Sequence, residues 1–306
     1  MASLASGQDS NTLNPPRFQI VPESPAPTER AVIKPAKRRE AVVEFIRQAR
    51  RSLLLSIFRC DDLEVLQALG DAAARGVCVE VLVTGRAKGW AKRLSPLAGC
   101  LELMGIAVYK FPKTLPKYHA KYLVADESVA LIGTMNLTRK CFRDTRDFLL
   151  CTADPGAVAS LVALFRSDVQ GAATAPELLD GRLIVGPDSA RERIEALLGG
   201  ARRSIRIMDH KLSDPGILAL LRHRERQGIT VEIQDRDPSG RFAPHGRLIV
   251  IDGEVAVLGS LALSVKSLNE RRELAIVIRQ PEIVAKLERQ FAGAAERQPA
   301  RLTAAA

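Results

Sequence analysis

Two short segments carry the residue types best suited to chemistry. The first reads HAKYLVADESVALIGTMNLT over 119–138, and the second reads HGRLIVIDGEVAVLGSLALS over 245–264. Each sets a histidine two residues before a cation: His119 before Lys121, and His245 before Arg247. In each, an aspartate follows the histidine by 7 residues (Asp126, Asp252), a glycine by 14 (Gly133, Gly259) and a further acid by 28 (Asp147, Glu273). A lone HxK pair is weak evidence, whereas two copies with three matched spacings are specific. Residues i and i+2 of an extended chain share a face, so each histidine points the same way as its cation. A turn at 126–128 or 252–254 then reverses the chain into VALIG or VAVLG, which brings the Gly133-Thr-Met-Asn136 turn back toward the histidine. Two such halves facing each other would set two imidazoles and two cations around one phosphate. That set supplies what cleavage of a phosphodiester needs: a nucleophile, a proton donor for the leaving oxygen, and positive charge on the phosphoryl oxygens.

The elements that must position these residues are themselves repeated. Pro35 matches Pro187, ARRS at 49–52 matches ARRS at 201–204, and RGVCVEVLV (75–83) matches QGITVEIQD (227–235), all at an offset of 152 residues. The motifs recur at an offset of 126, because the first copy carries an extra stretch over 85–113 where the second has only 236–244. The extra stretch reads as loop, helix and strand. Each half opens with an amphipathic helix (about 38–50; about 188–200) and an apolar strand (52–58; 204–209). A second helix (about 62–75; about 214–227) and a second strand (77–83; 229–234) follow. Strands alternating with helical patterns indicate βαβ units. The expectation is an α/β fold of two similar halves, each a mixed β-sheet flanked by helices. A pseudo-twofold axis relates them, and the site lies at their interface. Residues 1–30, rich in Pro, Ser, Asn and Thr, read as a mobile arm; 31–170 form the first half, 171–292 the trimmed second half, and 293–306 a flexible tail.

HxK, four residues, Asp, then a GSxN-like turn resembles the signature of the phospholipase D superfamily. His119-Ala-Lys121, Asp126 and Gly133-Thr-Met-Asn136 carry it in full; His245-Gly-Arg247, Asp252 and Gly259-Ser260 carry it with changes. SLNERREL (267–274) is similar to the SLxxNREL segment that follows the second motif in many bacterial members, with Arg271 in place of asparagine. The resemblance covers about residues 32–292. It implies a metal-independent phosphodiesterase that works through a phosphohistidine. The favoured substrate is a phospholipid, by hydrolysis or by a cardiolipin-synthase-like headgroup transfer (transphosphatidylation). His119 is expected to be the nucleophile and His245 the general acid. Lys121 and Arg247 are expected to hold phosphate oxygens, with Asn136, Thr134 and Ser260 adding hydrogen bonds. Asp147 and Glu273 are expected to hydrogen-bond the far ring nitrogen of their own half's histidine. Asp126, Asp252, Gly133 and Gly259 are expected to shape turns. Arg247 keeps the charge of the usual lysine with a different geometry, and Ala262 stands where the pattern has asparagine.

Composition bounds the partners. The chain has 306 residues, 46% of them hydrophobic, which is enough for a substantial core, and a formal charge of +10, which favours anionic partners. A nuclease acting on DNA or RNA diesters is the rival enzyme, and a catalytically inactive module binding anionic lipid or nucleic acid is the rival of another class. Aromatic residues make up only 4% and offer few stacking platforms for single strands. The five cysteines show neither a CxxC pair nor metal-ligand spacing, so reduced thiols, no metal and no cofactor are expected. Apolar runs are of strand length and no secretory pattern opens the chain, so a cytoplasmic protein with at most peripheral membrane contact is expected. His210, after a strand, and His223, on a charged helix, are read as structural or solvated. Trp90, among Arg86, Lys88, Lys92 and Arg93, reads either as a lipid or base contact or as a packed side chain.

Overall fold

The computed structural model describes residues 29–85, 90–112, 117–172 and 179–292. The first half runs β1 (Glu29–Val32), α1 (Pro35–Gln48), β2 (Ser52–Ile57), α2 (Leu63–Ala74), β3 (Cys78–Val83), α3 (Ala91–Leu103), β4 (Ala107–Lys110) and β5 (Lys117–Tyr118). It continues with β6 (Tyr122–Ala125), β7 (Val129–Gly133), α4 (Arg139–Arg143), β8 (Thr145–Arg146), β9 (Leu149–Thr152) and α5 (Pro155–Gln170). The second half runs β10 (Leu183–Val185), α6 (Ala190–Gly199), β11 (Ser204–Met208), α7 (Pro215–Arg226), β12 (Thr230–Gln234) and β13 (Ala243–Pro244). It closes with β14 (Leu248–Ile251), β15 (Val255–Gly259), α8 (Val265–Glu270), β16 (Arg271–Arg272), β17 (Leu274–Ile278) and α9 (Pro281–Glu288). The mobile arm expected over 1–30 lies outside the described residues apart from Glu29 and Arg30, which open β1. The tail expected over 293–306 lies wholly outside them.

The sheets show the repeat directly. The first is ordered β1-β9-β7-β6-β2-β3-β4 and the second β10-β17-β15-β14-β11-β12. The orders coincide once β4 is removed, and β4 with α3 is what the extra stretch of the first half contributes. Both sheets are mixed: β2–β3 and β11–β12 are parallel, whereas β2–β6 and β11–β14 are antiparallel. Strands such as SLLLSI and LIVI are apolar on both faces because both faces are covered. Leu53, Leu55 and Ile57 pack with α1, α2 and α3, and Ile249 and Ile251 with α6 and α7. Leu54, Leu248 and Val250 turn the other way, into a shared middle layer filled by α5 and α9. Three aspartates fix helix starts: Asp62, Asp154 and Asp214 accept the backbone N–H of Val65, Ala157 and Ile217.

The repeated ARRS segments have a partner in the motif. Asp126 accepts the backbone N–H groups of Arg50, Arg51 and Ser52 at 2.6–3.2 Å. Asp252 accepts those of Arg202, Arg203 and Ser204 at 2.7–2.8 Å. Both aspartates adopt left-handed backbone, φ +54° and +56°, at the hairpin turn. Each carboxylate therefore ties the β6–β7 or β14–β15 hairpin to the start of the neighbouring strand, the turn role expected of them. Burial raises the pKa of Asp126, but the N–H groups of Ser52, Arg51 and Arg50 outweigh it and hold the carboxyl below its ordinary value. Because the folded value is depressed, the stability Asp126 adds is present above the ordinary carboxylate range and is lost as pH falls through the depressed one. Replacing Asp126 with Ala should lower stability at pH 7 by about 1–2 kcal/mol. Asp126→Asn, which tolerates left-handed backbone, should cost less. Urea midpoints at pH 7 measure both, and the gap between Asp126→Ala and wild type should close as pH falls below the ordinary carboxylate range.

Candidate active site

Two ribbons of two residues each stitch the halves together. β5 pairs in parallel with β16, with Lys117 opposite Arg271 and Tyr118 opposite Arg272. β8 pairs in parallel with β13, with Thr145 opposite Ala243 and Arg146 opposite Pro244. Each ribbon joins a strand of one half to a strand of the other, and the 126-residue offset converts one ribbon into the other. Parallel register sends the next residues out side by side, His119 beside Glu273 and His245 beside Asp147. The backbone extends the pairing, with His119 N–H donating to Arg272 O at 2.8 Å and Gly246 N–H to Arg146 O at 2.7 Å. A Cβ at Gly246 would overlap Arg146 O, so glycine is required where β13 lies against β8.

The acid–histidine pairs are consequently crossed. Glu273 Oε1 lies 3.0 Å from His119 Nδ1, and Asp147 Oδ1 lies 2.9 Å from His245 Nδ1. This corrects the expectation that each acid would serve the histidine of its own half. Both acids are fully enclosed and braced. Asp147 accepts Thr134 Oγ1–H at 2.6 Å and Thr145 Oγ1–H at 2.5 Å. Glu273 Oε2 accepts Ser267 Oγ–H and the Ala262 N–H. Burial raises the Asp147 carboxyl, but the His245 imidazole and the two threonine hydroxyls outweigh it and bring it to about 2. Glu273 likewise falls to about 2, with burial opposed by His119, Arg247 and Ser267.

Lys121, Arg247, His119 and Asn136 are all buried. Burial, reinforced by the Lys121 ammonium, pushes His119 well below the ordinary imidazole value against the pull of Glu273. Burial also lowers Lys121 well below its ordinary value, with Glu273 opposing and Arg247 adding to the shift. Lys121 Nζ lies 3.1 Å from His119 Nδ1 and 2.7 Å from His119 O. A single Nδ1 either accepts from Lys121 or donates to Glu273. An anion that drew Lys121 away would leave Nδ1–H on Glu273 and free the Nε2 lone pair. Arg247 has Nε and Nη1 buried without a hydrogen-bond partner, its Nε 3.9 Å from Asp209 Oδ1, and Asn136 Oδ1 is also unpartnered. Buried, unsatisfied guanidinium N–H groups are suited to a ligand rich in acceptor oxygens.

Two expected phosphate contacts are not of that kind. Thr134 is wholly buried, and its hydroxyl donates to Asp147 and accepts Phe148 N–H at 3.0 Å. Ser260, equally buried, accepts Leu274 N–H at 3.1 Å and donates to Leu274 O at 3.3 Å. Both hydroxyls lock the strand after the motif instead of reaching a phosphate. Gly133 and Gly259 serve close strand approach: neither has positive φ, and a Cβ would press on Leu149 or overlap Leu274 O.

Several neighbours were not marked by the motif spacing. Phe58, at the end of β2, stacks edge-on against His119 with ring centroids 4.7 Å apart. Lys121 Nζ and Arg59 Cζ lie 5.5 and 5.1 Å from the Phe58 ring. Position 58 is equivalent to His210 at the 152-residue offset, the signal that would have marked both. His210 Nδ1 is buried without a partner, and burial with the Arg247 charge lowers its pKa. His223 is exposed, as expected. A cavity of about 270 Å³ opens beside His245, lined in part by Arg59, Trp90, Asn136, Lys140 and Cys141. Trp90 is buried, with Arg59 and Arg93 at 5.9 and 5.5 Å from its ring, so it packs into this wall. Arg86 and Lys88 lie outside the described residues. Among the described residues, no helix is long and apolar enough to cross a membrane.

Comparison with known proteins agrees with this architecture. A family model described as "Cardiolipin synthase, PLD-like domain" matches residues 42–169 and 193–294. Among solved structures, polyphosphate kinase from Porphyromonas gingivalis superposes with a TM-score of 0.69 at 21% identity, over 88% of this chain and 52% of that one. Phosphatidylserine synthase from Haemophilus influenzae Rd KW20 superposes with a TM-score of 0.70 at 12% identity, over 89% and 86% of the two chains. This chain thus spans about half the length of the kinase, and at these identities the likeness is one of fold. No curated protein sequence matches significantly.

Crossed pairing makes a prediction that pairing within each half does not. In ¹⁵N-resolved spectra of the imidazoles, Glu273→Gln should move the His119 ring resonances strongly and those of His245 little, while Asp147→Asn should do the reverse. Pairing within each half would produce the opposite pattern.

Proposed function

Because the chain belongs to the cardiolipin synthase, PLD-like domain family, we propose that it is a metal-independent phosphodiesterase that acts on phospholipids through a phosphohistidine. The crossed acid–histidine pairs carry this reading. Each acid takes up the Nδ1 side of a histidine, which leaves both Nε2 atoms to react. His119 Nε2 attacks phosphorus as the P–O bond to the leaving group breaks, and His245 gives that oxygen its proton. His245 then takes a proton from water or an alcohol, whose oxygen attacks phosphorus and breaks the P–N bond. Lys121, Arg247 and Asn136 hold the phosphoryl oxygens throughout. Water yields hydrolysis, and an alcohol yields headgroup transfer.

The assignment of the two histidines rests on their surroundings. His119 is the deeper, with its pKa lowered so that it is neutral and nucleophilic at neutral pH. It has Lys121 and Asn136 in its own half to hold a phosphoenzyme. The corresponding position in the second half is Ala262, whose N–H is shared between Ser267 Oγ at 2.8 Å and Glu273 Oε2 at 3.3 Å. His245, with its side chain 23% exposed at the cavity, has the solvent access that proton exchange requires. The family's cardiolipin synthase description favours phospholipid over nucleic acid.

With excess EDTA, phosphatidylglycerol vesicles should release phosphatidate, or transfer phosphatidyl to an added alcohol, while single-stranded DNA stays intact. Cleavage of DNA alone would overturn the lipid reading, and loss of all turnover restored by a divalent metal would overturn the mechanism.

The two histidine roles separate by leaving group. A nitrophenyl phosphodiester needs little acid assistance. His245→Ala should therefore retain measurable nitrophenol release and His119→Ala should not; the opposite pattern, or a phosphohistidine mapped to His245, would reverse the roles.

A further inference from the structure

Cys141 is a thiol for which the proposed reaction has no use, yet the fold sets it against the site. It belongs to α4, is 4% exposed and lines the cavity beside His245. Its sulfur, a carboxylate oxygen of Asp147 and a ring nitrogen of His245 all lie within 4.8 Å of one another. Asp147 Oδ1 and His245 Nδ1 are already 2.9 Å apart. Ligand atoms about 2.0–2.3 Å from a tetrahedral zinc ion sit roughly 3.3–3.8 Å from each other, so a small closure of the thiol and a slight opening of the carboxylate–imidazole pair would seat one.

The cluster is fixed in place. Thr138 Oγ1 accepts Cys141 N–H at 3.3 Å, and Cys141 O accepts Arg38 Nη1–H at 2.8 Å. Thr134 and Thr145 hold the carboxylate, as outer-shell donors do in zinc sites. The internal repeat isolates what the thiol adds. At the 126-residue offset, Cys141 corresponds to Ser267, whose hydroxyl braces Glu273. In the first half Thr145 supplies that brace to Asp147, so the thiol is not needed for it.

We infer that Cys141, Asp147 and His245 form a binding site for a thiophilic divalent cation, zinc being the fitting ion, and that its occupancy blocks turnover. Thiolate, carboxylate and neutral imidazole together balance a dication, so the loaded cluster is itself neutral among Lys121, Arg247 and Arg38. The thiol loses its proton to solvent, and a neutral His245 moves its hydrogen from Nδ1 to Nε2, giving its Nδ1 lone pair to the metal. A metal-bound imidazole no longer cycles a proton, which is how occupancy stops the reaction. The mix of sulfur, nitrogen and oxygen donors favours zinc over magnesium or calcium. Cation binding does not depend on the proposed reaction; the inhibition does.

The test titrates the reduced full chain with Co²⁺ as an optical probe and Zn²⁺ as competitor. One equivalent of Co²⁺ should give a thiolate-to-cobalt absorption band that zinc abolishes. Cys141→Ser, the residue the second half carries, should lose the band and bind zinc more weakly by more than about tenfold. Cys78→Ser, at an exposed thiol, should keep the band. His245→Gln, with the thiol intact, should weaken binding similarly, which decides the matter if Cys141→Ser fails to fold. A wild-type chain without the band, or a folded Cys141→Ser chain with it, overturns the site. With diester substrate, zinc should inhibit wild type and spare Cys141→Ser, and equal inhibition of both overturns the blocking role. If no diester is turned over, the proposed function fails while the cobalt spectrum still decides the site.

Discussion

Two parallel ribbons between the halves, Lys117–Tyr118 with Arg271–Arg272 and Thr145–Arg146 with Ala243–Pro244, govern the rest of the site. Each ends one residue before a histidine on one strand and an acid on the other. The halves exchange acids across the interface in the manner of a twofold contact, where residue i meets j and j meets i. Neither half is chemically complete alone, because each histidine depends on a carboxylate delivered by its partner. The arginines before the acids anchor the exchange. Arg146 donates to Gln234 Oε1 at 3.0 Å in the second half, and Arg272 meets Asp168 at 3.1 Å on α5 of the first.

The charge pattern follows from that geometry. Lys121 and Arg247 are buried cations, and Asp147 and Glu273 are buried anions. Burying four such groups is tolerable only when they are mutually paired and hydrogen-bonded. Asp147 is fully satisfied, by two threonines as well as by histidine, and Glu273 Oε2 by serine and backbone donors, while Glu273 Oε1 meets the His119 ring. Arg247 is under-satisfied: its Nε and Nη1 make no hydrogen bond, and its ion pair with Asp209 is long, at 3.9 Å. A site that spends its hydrogen-bond donors on its own carboxylates, and leaves its guanidinium open, is preorganised for a substrate bearing acceptor oxygens.

The two halves have diverged while keeping this frame. Lys121 faces Arg247, Asn136 faces Ala262, Phe58 faces His210 and Cys141 faces Ser267 across the pseudo-twofold relation. These differences surround the histidines, whereas the hairpin anchors Asp126 and Asp252 are the same in both halves. Strand order and turn anchoring hold the architecture, so the side chains around the two histidines are free to differ.

The sequence by itself determined the two α/β halves, their trimmed difference and the repeated residues that the fold gathers. Apolar runs, helix caps and turn residues act locally, and a repeat with fixed spacings exposes whatever both copies retain. It also marked His119, Lys121, His245, Arg247, Asp147 and Glu273, all of which the fold brings to one place. Tertiary structure alone decided which acid meets which histidine. A 28-residue spacing is the same whether the acid folds back on its own half or crosses to the other, so spacing carries no information about the swap. The hydroxyls of Thr134 and Ser260 look like phosphate donors in a linear motif. Only packing against Asp147 and Leu274 shows that they are already committed. Cys141 lies six residues from Asp147 but 104 from His245, and a contact of that range depends on the register between two sheets, which no local pattern records.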